Sequence, residues 1–445
     1  MKEFLKRIGG LTTFRIIILG FLAAILLGAV LLSLPVSSAE GRATRFDEAL
    51  FTSTSAVCVT GLVVKDTGSY WSGFGQAVIL TLIQIGGLGV VTVAALFTLA
   101  AGKKISLKQR STMKEAMSAQ NVGGIVKLAG FILRTTAAIE LIGALLLMPV
   151  FCASFGFKGI WMAFFHSISA FCNAGFDLMG GVAGPFSSLT SYASGIYLNI
   201  VIMLLIIAGG LGFLTWEDMM THRLRFRRYR MQSKVIIVIS LILVFVPALL
   251  FFIFDFSGLT GAERVLASLF QSVTARTAGF NTKDLNLLSG AGRALMIALM
   301  LIGGSPGSTA GGMKTTTAAV LFANAAATFG RKEDPAFFGR RIDQDAVRNA
   351  STILVMYITL FMGGAMLISL IEGLPVSVCL FETASAVGTV GVTLGITPGL
   401  GLASHCILMV LMFLGRVGGL TLIYAALSGT KRTVSKLPVD KITVG

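Results

Sequence analysis

The sequence predicts an all-α integral membrane fold of four tandem repeats, with eight transmembrane helices and four re-entrant half-helices. Three observations carry this. Of 445 residues, 55% are hydrophobic and only 13% charged, where a soluble chain carries about 25%. The apolar residues gather in runs long enough to cross ~30 Å of hydrocarbon, which takes about 20 helical residues. Finally, one segment recurs four times: Phe51 to Gly61, Phe165 to Gly175, Phe270 to Gly279 and Phe381 to Gly391. Each opens on Phe, carries Ser or Thr at its third and fifth positions and Ala at its sixth, and closes on Gly; the third copy is one residue shorter. A spacing of roughly a hundred residues is too long for a solenoid unit and indicates duplicated domains.

Each repeat supplies a span, a short helix, an extended segment and a second span. The expected units are 1–102, 103–222, 223–332 (with a broken inner helix) and 333–445 (with a C-terminal tail). The spans are expected at 14–34 and 73–100, 125–152 and 194–215, 235–254 and 291–329, and 346–371 and 402–427. The segments 46–55, 159–170, 262–274 and 375–386 are too short to cross and suit half-helices that enter and turn back. The basic start, with Lys2, Lys6, Arg7 and Arg15, leads into a run long enough to span and is read as a first span rather than a cleaved signal. Five cysteines without a CxxC pair (Cys58, Cys152, Cys172, Cys379, Cys406) read as small buried hydrophobes.

Charge placement orients the spans. The arms 1–15, 101–127, 216–234, 330–348 and 428–445 hold 25 of the 36 Lys and Arg and 9 of the 20 Asp and Glu, so they carry the whole net charge of +16. The positive-inside rule puts those arms, and both termini, in the cytoplasm of a multi-pass cell-membrane protein. The run from His222 to Arg230 reads as a topology anchor on anionic lipid rather than a nucleic-acid site, with docking of an acidic cytosolic partner left open.

Non-helical backbone at membrane depth is tolerated only where protein buries it or it lines water. Four such segments around a pseudo-fourfold axis aim carbonyl oxygens at one point of a central pore and replace the water shell of a bare cation. The expected ion filter is Val57, Cys58, Val59, Thr60 and Gly61; Phe171, Cys172, Asn173, Ala174 and Gly175; Arg276, Thr277, Ala278 and Gly279; and Val387, Gly388, Thr389, Val390 and Gly391. The closing glycines supply torsions that other residues resist, and the half-helices turn their partially negative C-terminal ends to the axis. Thr52, His166, Gln271 and Glu382 hold equivalent places and are expected mostly behind the filter, bracing it by hydrogen bonds. Close packing of small residues is the alternative for any one copy.

The fourfold unit, the Gly closing each filter segment and the broken third inner helix resemble the Trk/Ktr/HKT superfamily of cation transporters. With no extra spans ahead of the first repeat, the chain most resembles its KtrB branch, the membrane subunits of bacterial Ktr potassium uptake systems. The resemblance implies K⁺ as the transported ion at the filter, a homodimer, and a cytosolic RCK-type, KtrA-like ring of nucleotide-binding regulatory subunits that carries ATP or ADP. No organic cofactor is expected on this chain itself. A Ser in place of the first filter Gly goes with Na⁺ transport in that superfamily, so Gly61 favours K⁺. Dependence on Na⁺ stays open.

The inner spans repeat a second pattern. Gln84 to Leu88, Ile207 to Leu211, Leu301 to Ser305 and Arg416 to Leu420 each place two glycines at the third and fourth positions. In the first two, the glycines read as close packing or a bend. Arg416 takes the place of Gln84, Ile207 and Leu301. An Arg at mid-membrane costs roughly 3 kcal/mol on insertion scales unless it faces water or a partner. It is expected as a cation barrier below the filter, or else paired with Glu140. The run Gly303, Gly304, Ser305, Pro306, Gly307, Ser308, Thr309, Ala310, Gly311, Gly312, Met313 and Lys314 destroys helix propensity in mid-span. It is expected to line a cavity as a gate loop. Lys314 tethers that loop or adds to the barrier. Met313 interrupts the near-match to a phosphate-binding loop, which also needs a preceding strand. With three His, no intramembrane carboxylate pair and no metal spacing, the chain does not read as an enzyme. A K⁺/Na⁺ or K⁺/H⁺ symporter with tight coupling is the alternative, with Glu140 and Glu382 as its carboxylates.

Overall fold

The structure, a computed structural model, describes residues 13–100, 105, 107–117, 124–223 and 225–418. In chain order its helices are α1 (Thr13–Ser33), α2 (Phe46–Cys58), α3 (Gly73–Leu88), α4 (Val90–Ala100), α5 (Leu107–Ala116), α6 (Ile125–Phe155), α7 (Lys158–Phe171), α8 (Gly180–Ala183), α9 (Ile196–Gly210) and α10 (Phe213–His222). They continue with α11 (Met231–Phe254), α12 (Gly261–Thr274), α13 (Gly290–Leu301), α14 (Thr315–Phe329), α15 (Gln344–Glu372), α16 (Val376–Gly388) and α17 (Leu402–Val417). A two-stranded hairpin, β1 (Ala336–Phe337) with β2 (Arg340–Arg341), precedes α15.

Helices α1, α6, α11 and α15 are long and apolar enough to cross a membrane. They leave large apolar side chains uncovered: Leu27, Ile142, Phe245 and Met366 are 65%, 57%, 59% and 58% exposed. Apolar faces of this extent mark a contact surface in a folded chain, and lipid supplies it here. The opposite faces pack inward on the short helices: α1 on α2, α6 on α7, α11 on α12 and α15 on α16. Helix α3 packs on α7, α9 on α12, α13 on α16, and α17 returns to α2. The packing order therefore closes a cycle. The Phe that opens each repeated segment (Phe51, Phe165, Phe270, Phe381) is buried in this packing, at most 1% exposed.

Local sequence explains the element ends. Ser72 and Ser289 cap α3 and α13 by accepting from Gly75 N (3.2 Å) and Gly292 N (2.9 Å). Asp47 and Glu48 sit in the first turn of α2, where the helix dipole favours them.

Two expectations need correction. The inner spans of the first and second repeats are not continuous. Helix α3 stops at Gly89 and restarts as α4, while α9 and α10 meet at 99°. The two breaks fall on Gly89 (φ 84°) and Gly212 (φ 88°), and α17 ends at Gly418 (φ 85°). Only glycine enters that torsion range readily, so each glycine marks a helix end. The second correction concerns Cys406, which is exposed on α17, and Cys152, which is half-buried on α6, rather than buried; all five cysteines are free. The last part of the predicted eighth span (419–427), the first twelve residues and the C-terminal tail lie outside the described residues.

Candidate functional site

The four short helices end alike. Each runs into a left-handed residue: Val59 (φ 57°), Asn173 (φ 58°), Thr277 (φ 71°) and Thr389 (φ 51°). Two residues later comes a glycine with positive φ: Gly61 (94°), Gly175 (69°), Gly279 (83°) and Gly391 (93°). Val57, Cys58, Phe171, Val387 and Gly388 still belong to the helices, so the extended segments start later than expected. Right-handed torsions persist until the left-handed residue terminates each helix.

The glycines meet in a ring. A Cβ on Gly61 would strike the carbonyl oxygen of Ala174. A Cβ on Gly175 would sit 2.8 Å from Ala278 O, and one on Gly279 2.5 Å from Val390 O. On Gly391 it would strike Thr60 O. Every glycine therefore abuts the carbonyl that precedes the next glycine, and the fourth returns to the first. The short third copy keeps its place by a tighter turn. Thr274 O accepts from Ala278 N (3.0 Å), four residues on, whereas Ser55 O, Ser169 O and Ser385 O accept from the residue five on, at 2.8 Å. Arg276 turns its guanidinium away from the ring, to 3.4 Å from Ser240 O on α11.

Buried hydroxyls hold these segments. At the third position, Ser53, Ser167, Ser272 and Thr383 donate to Ile25 O (2.7 Å), Glu140 O (2.7 Å), Val244 O (2.7 Å) and Phe361 O (3.1 Å) on the long helices. In α11, Pro247 has no N–H for Leu243 O, and Ser272 also donates to that carbonyl at 3.2 Å. At the fifth position, Ser55 and Ser385 accept from Gly61 N (3.1 Å) and Gly391 N (3.0 Å). Ser169 and Thr274 donate to Phe176 O (2.7 Å) and Phe280 O (2.6 Å), just past their glycines.

Two of the four second-position residues, His166 and Glu382, bond to backbone or side chains just past their glycines, as expected. Leu178 N donates to His166 Nε2 at 3.4 Å, so Nδ1 is the donor to Met162 O at 2.7 Å. Glu382 accepts from the hydroxyls of Thr393 (2.7 Å) and Thr397. Gln271 contacts Met296 Sδ at 3.1 Å. Thr52 departs from the expectation, since its hydroxyl returns to Glu48 O (3.0 Å) in its own helix.

The inner helices press glycine against the ends of the short helices. A Cβ on Gly86, Gly209 or Gly415 would strike Val57 O, Phe171 O or Val387 O. This equivalence corrects the register of Arg416. Its counterparts are Gly87 and Gly210, three residues from the places read in the sequence. Nor does Arg416 pair with Glu140. Its guanidinium donates to Thr309 O, Gly86 O and Gly87 O (3.1 Å for the last). Glu140 instead accepts from Gln84 Nε2 at 3.0 Å, with Cys172 Sγ 3.4 Å from Gln84 Oε1.

The segment between α13 and α14 lies directly under the ring. Thr309 Oγ1 donates to Phe171 O (2.9 Å), Ser305 N to Gly210 O (3.0 Å) and Gly312 N to Gly415 O (3.3 Å). Phe213 N donates to Gly307 O (2.8 Å). Lys314 Nζ donates to Ala310 O (2.7 Å), which fits the tethering role. On one side of the ring a cavity of about 130 Å³ is bounded by all four glycines with Asp66 and Asp177. A second cavity, of about 250 Å³, is lined by Gly307, Lys314, Tyr357 and Arg416 among others. The ring glycines thus border one cavity, and the loop and Arg416 border another.

A family model described as TrkH, cation transport protein, matches residues 11–431. The chain belongs to the TrkH family of cation transport proteins. This is a family of transporters rather than enzymes. The potassium/sodium uptake protein NtpJ of Enterococcus hirae is 41% identical over 447 residues, covering 98% of each chain. The Ktr system potassium uptake protein B of Bacillus subtilis is 37% identical, covering 97% of this chain and 96% of its own. The crystal structure of the potassium transporter TrkH from Vibrio parahaemolyticus aligns with a TM-score of 0.72 over 92% of this chain and 83% of that one, at 18% identity.

In this TrkH-family chain, sequence reasoning noted the Ser and Thr pattern but gave those side chains no task. Their recurrence at the third and fifth positions was the available signal. The Gln84–Glu140–Cys172 contact was not anticipated, because its members lie 32 to 88 residues apart.

Proposed function

We propose that this chain is the ion-translocating membrane subunit of a potassium uptake system. The observation that carries the reading is the closed ring of four positive-φ glycines, each against the carbonyl that precedes the next. Thr60, Ala174, Ala278 and Val390 then present carbonyls that replace the hydration shell of K⁺. The four repeats (1–102, 103–222, 223–332, 333–445) surround the pore with pseudo-fourfold symmetry, and the inter-repeat arms and termini are cytoplasmic. The names of the relatives, potassium uptake proteins among them, support K⁺. The loop from Gly303 to Lys314 is the gate. A homodimer regulated by a cytosolic RCK-type ring with bound ATP or ADP completes the system. Reversal potentials of the purified chain in planar bilayers test this. They should follow the K⁺ gradient and ignore Na⁺ and pH; a K⁺-to-Na⁺ preference near unity would refute it. The relative named for both potassium and sodium favours one second reading, K⁺/Na⁺ symport. A reversal potential that moves with both gradients in fixed ratio would select it.

Arg416 is the barrier of this pathway. A unit charge within roughly 10 Å of a passing cation costs it on the order of 1–2 kcal/mol at an effective dielectric of 20. Arg416→Gln should therefore raise single-chain flux roughly ten- to thirtyfold. Stopped-flow K⁺ efflux from proteoliposomes measures this, and a folded variant that conducts more slowly would make Arg416 a strut for Thr309 and Gly86.

A further inference from the structure

We propose that the corner between α9 and α10 latches the loop beneath the ring, with Trp216 as its positioning residue, and that straightening of the corner releases the loop. The inference rests on the reading of that loop as the gate. Helices α9 and α10 are long and apolar enough for one span only when taken together, yet they meet at 99°. A bend of that size interrupts the backbone ladder. The last carbonyls of α9 and the first N–H groups of α10 then need partners outside the helix.

Trp216 and the loop supply those partners. Ala208 O accepts from Trp216 Nε1 across the bend at 2.9 Å. Gly209 O accepts from Thr309 N (3.3 Å) and Gly210 O from Ser305 N (3.0 Å). In return Phe213 N, at the start of α10, donates to Gly307 O at 2.8 Å. In an unbroken helix the same three carbonyls would accept from the N–H groups four residues on, at Gly212, Phe213 and Leu214. Phe213 N has one proton, so it serves either Gly307 O or Gly209 O. A bent corner with a held loop therefore excludes a straight helix. The two arrangements exchange hydrogen bonds nearly one for one, which is what a two-state element requires. Gly212 is the hinge: its φ is 88°, and a Cβ there would lie 2.7 Å from Pro306 O. Thr309 carries the coupling onward, because its hydroxyl donates to Phe171 O at the end of α7 (2.9 Å).

The test is K⁺ efflux from proteoliposomes holding the folded full chain, with Trp216→Phe and Gly212→Ala made singly and each combined with deletion of residues 304–311. Trp216→Phe removes the indole N–H and keeps an aromatic ring. Gly212→Ala strains the bend and favours the straight helix. Each should raise basal efflux several-fold in the parent. Neither should change efflux in the deletion, which removes Ser305, Gly307 and Thr309 together. A corner that only caps α9 would lower the melting temperature without raising efflux. Parental or lower efflux in the folded single variants, or an equal rise in the deletion background, would overturn the proposal; a deletion faster than the parent would then still uphold the gate. A deletion no faster than the parent would remove both. If Gly212→Ala does not fold, Trp216→Phe decides alone.

Discussion

Gly61→Ser is expected to cut K⁺-over-Na⁺ discrimination by roughly tenfold or more, a loss of about 1.4 kcal/mol or more. Gly61 holds φ 94°, and a side chain in left-handed torsions costs roughly 1–2 kcal/mol. Its Cβ would also land on Ala174 O. Relief of both strains moves Gly61 or the carbonyl of the second repeat, and the ring closes only when all four members keep their places. A displaced carbonyl fits K⁺ less well while a smaller, more strongly hydrated ion loses little. Competition of K⁺ and Na⁺ for tracer uptake by the folded variant measures the effect. An unchanged ratio would remove the ring from selectivity.

Deletion of residues 304–311 should raise basal flux several-fold and weaken control by any regulator. On the proposed reading the loop closes the path below the ring: Thr309 bonds Phe171 O, and Gly311 abuts the Thr389 side chain. The flanks already touch. Gly303 N donates to Met313 O at 2.7 Å, and a Cβ on Gly303 would lie 3.1 Å from Gly312 Cα. The shortened chain rejoins across that contact without pulling α13 from α14, since adjacent Cα atoms stand 3.8 Å apart. Flux equal to or below that of the parent in folded protein would show that the loop does not limit conduction.

The sequence made the broad plan legible because it reuses one unit. The four Phe-to-Gly segments, the long helices and the broken third inner helix stand where periodicity and composition put them. What stayed hidden depended on three-dimensional contacts. The sequence singles out the pairs Gly86–Gly87 and Gly209–Gly210 for packing or a bend, whereas the positive φ falls on Gly89 and Gly212 just beyond them, because a sequence does not distinguish a glycine needed for closeness from one needed for positive φ. Arg416 was misplaced by three residues for the same reason. Matching Gly-Gly to Gly-Gly in the fourth repeat overlooked Gly415, which does the work of Gly86 against Val387 O. Arg416 then falls where the other repeats have a second glycine, and its reach to Gly86 O and Gly87 O becomes intelligible. The extended segments start two residues later than the sequence suggests in the first and fourth repeats and one later in the second, because residues such as Val57 and Cys58 are as compatible with a helix end as with an extended strand.

The most direct test of the central claim is Rb⁺ uptake into proteoliposomes that contain only this chain, with K⁺, Na⁺ or choline as competitor. The account predicts uptake that external K⁺ abolishes and that equal Na⁺ or choline leaves intact, in the parent or, where the loop holds the pathway shut, in the 304–311 deletion. Uptake that Na⁺ suppresses as well as K⁺ does, or none in either protein, would contradict a K⁺ filter built on Gly61, Gly175, Gly279 and Gly391.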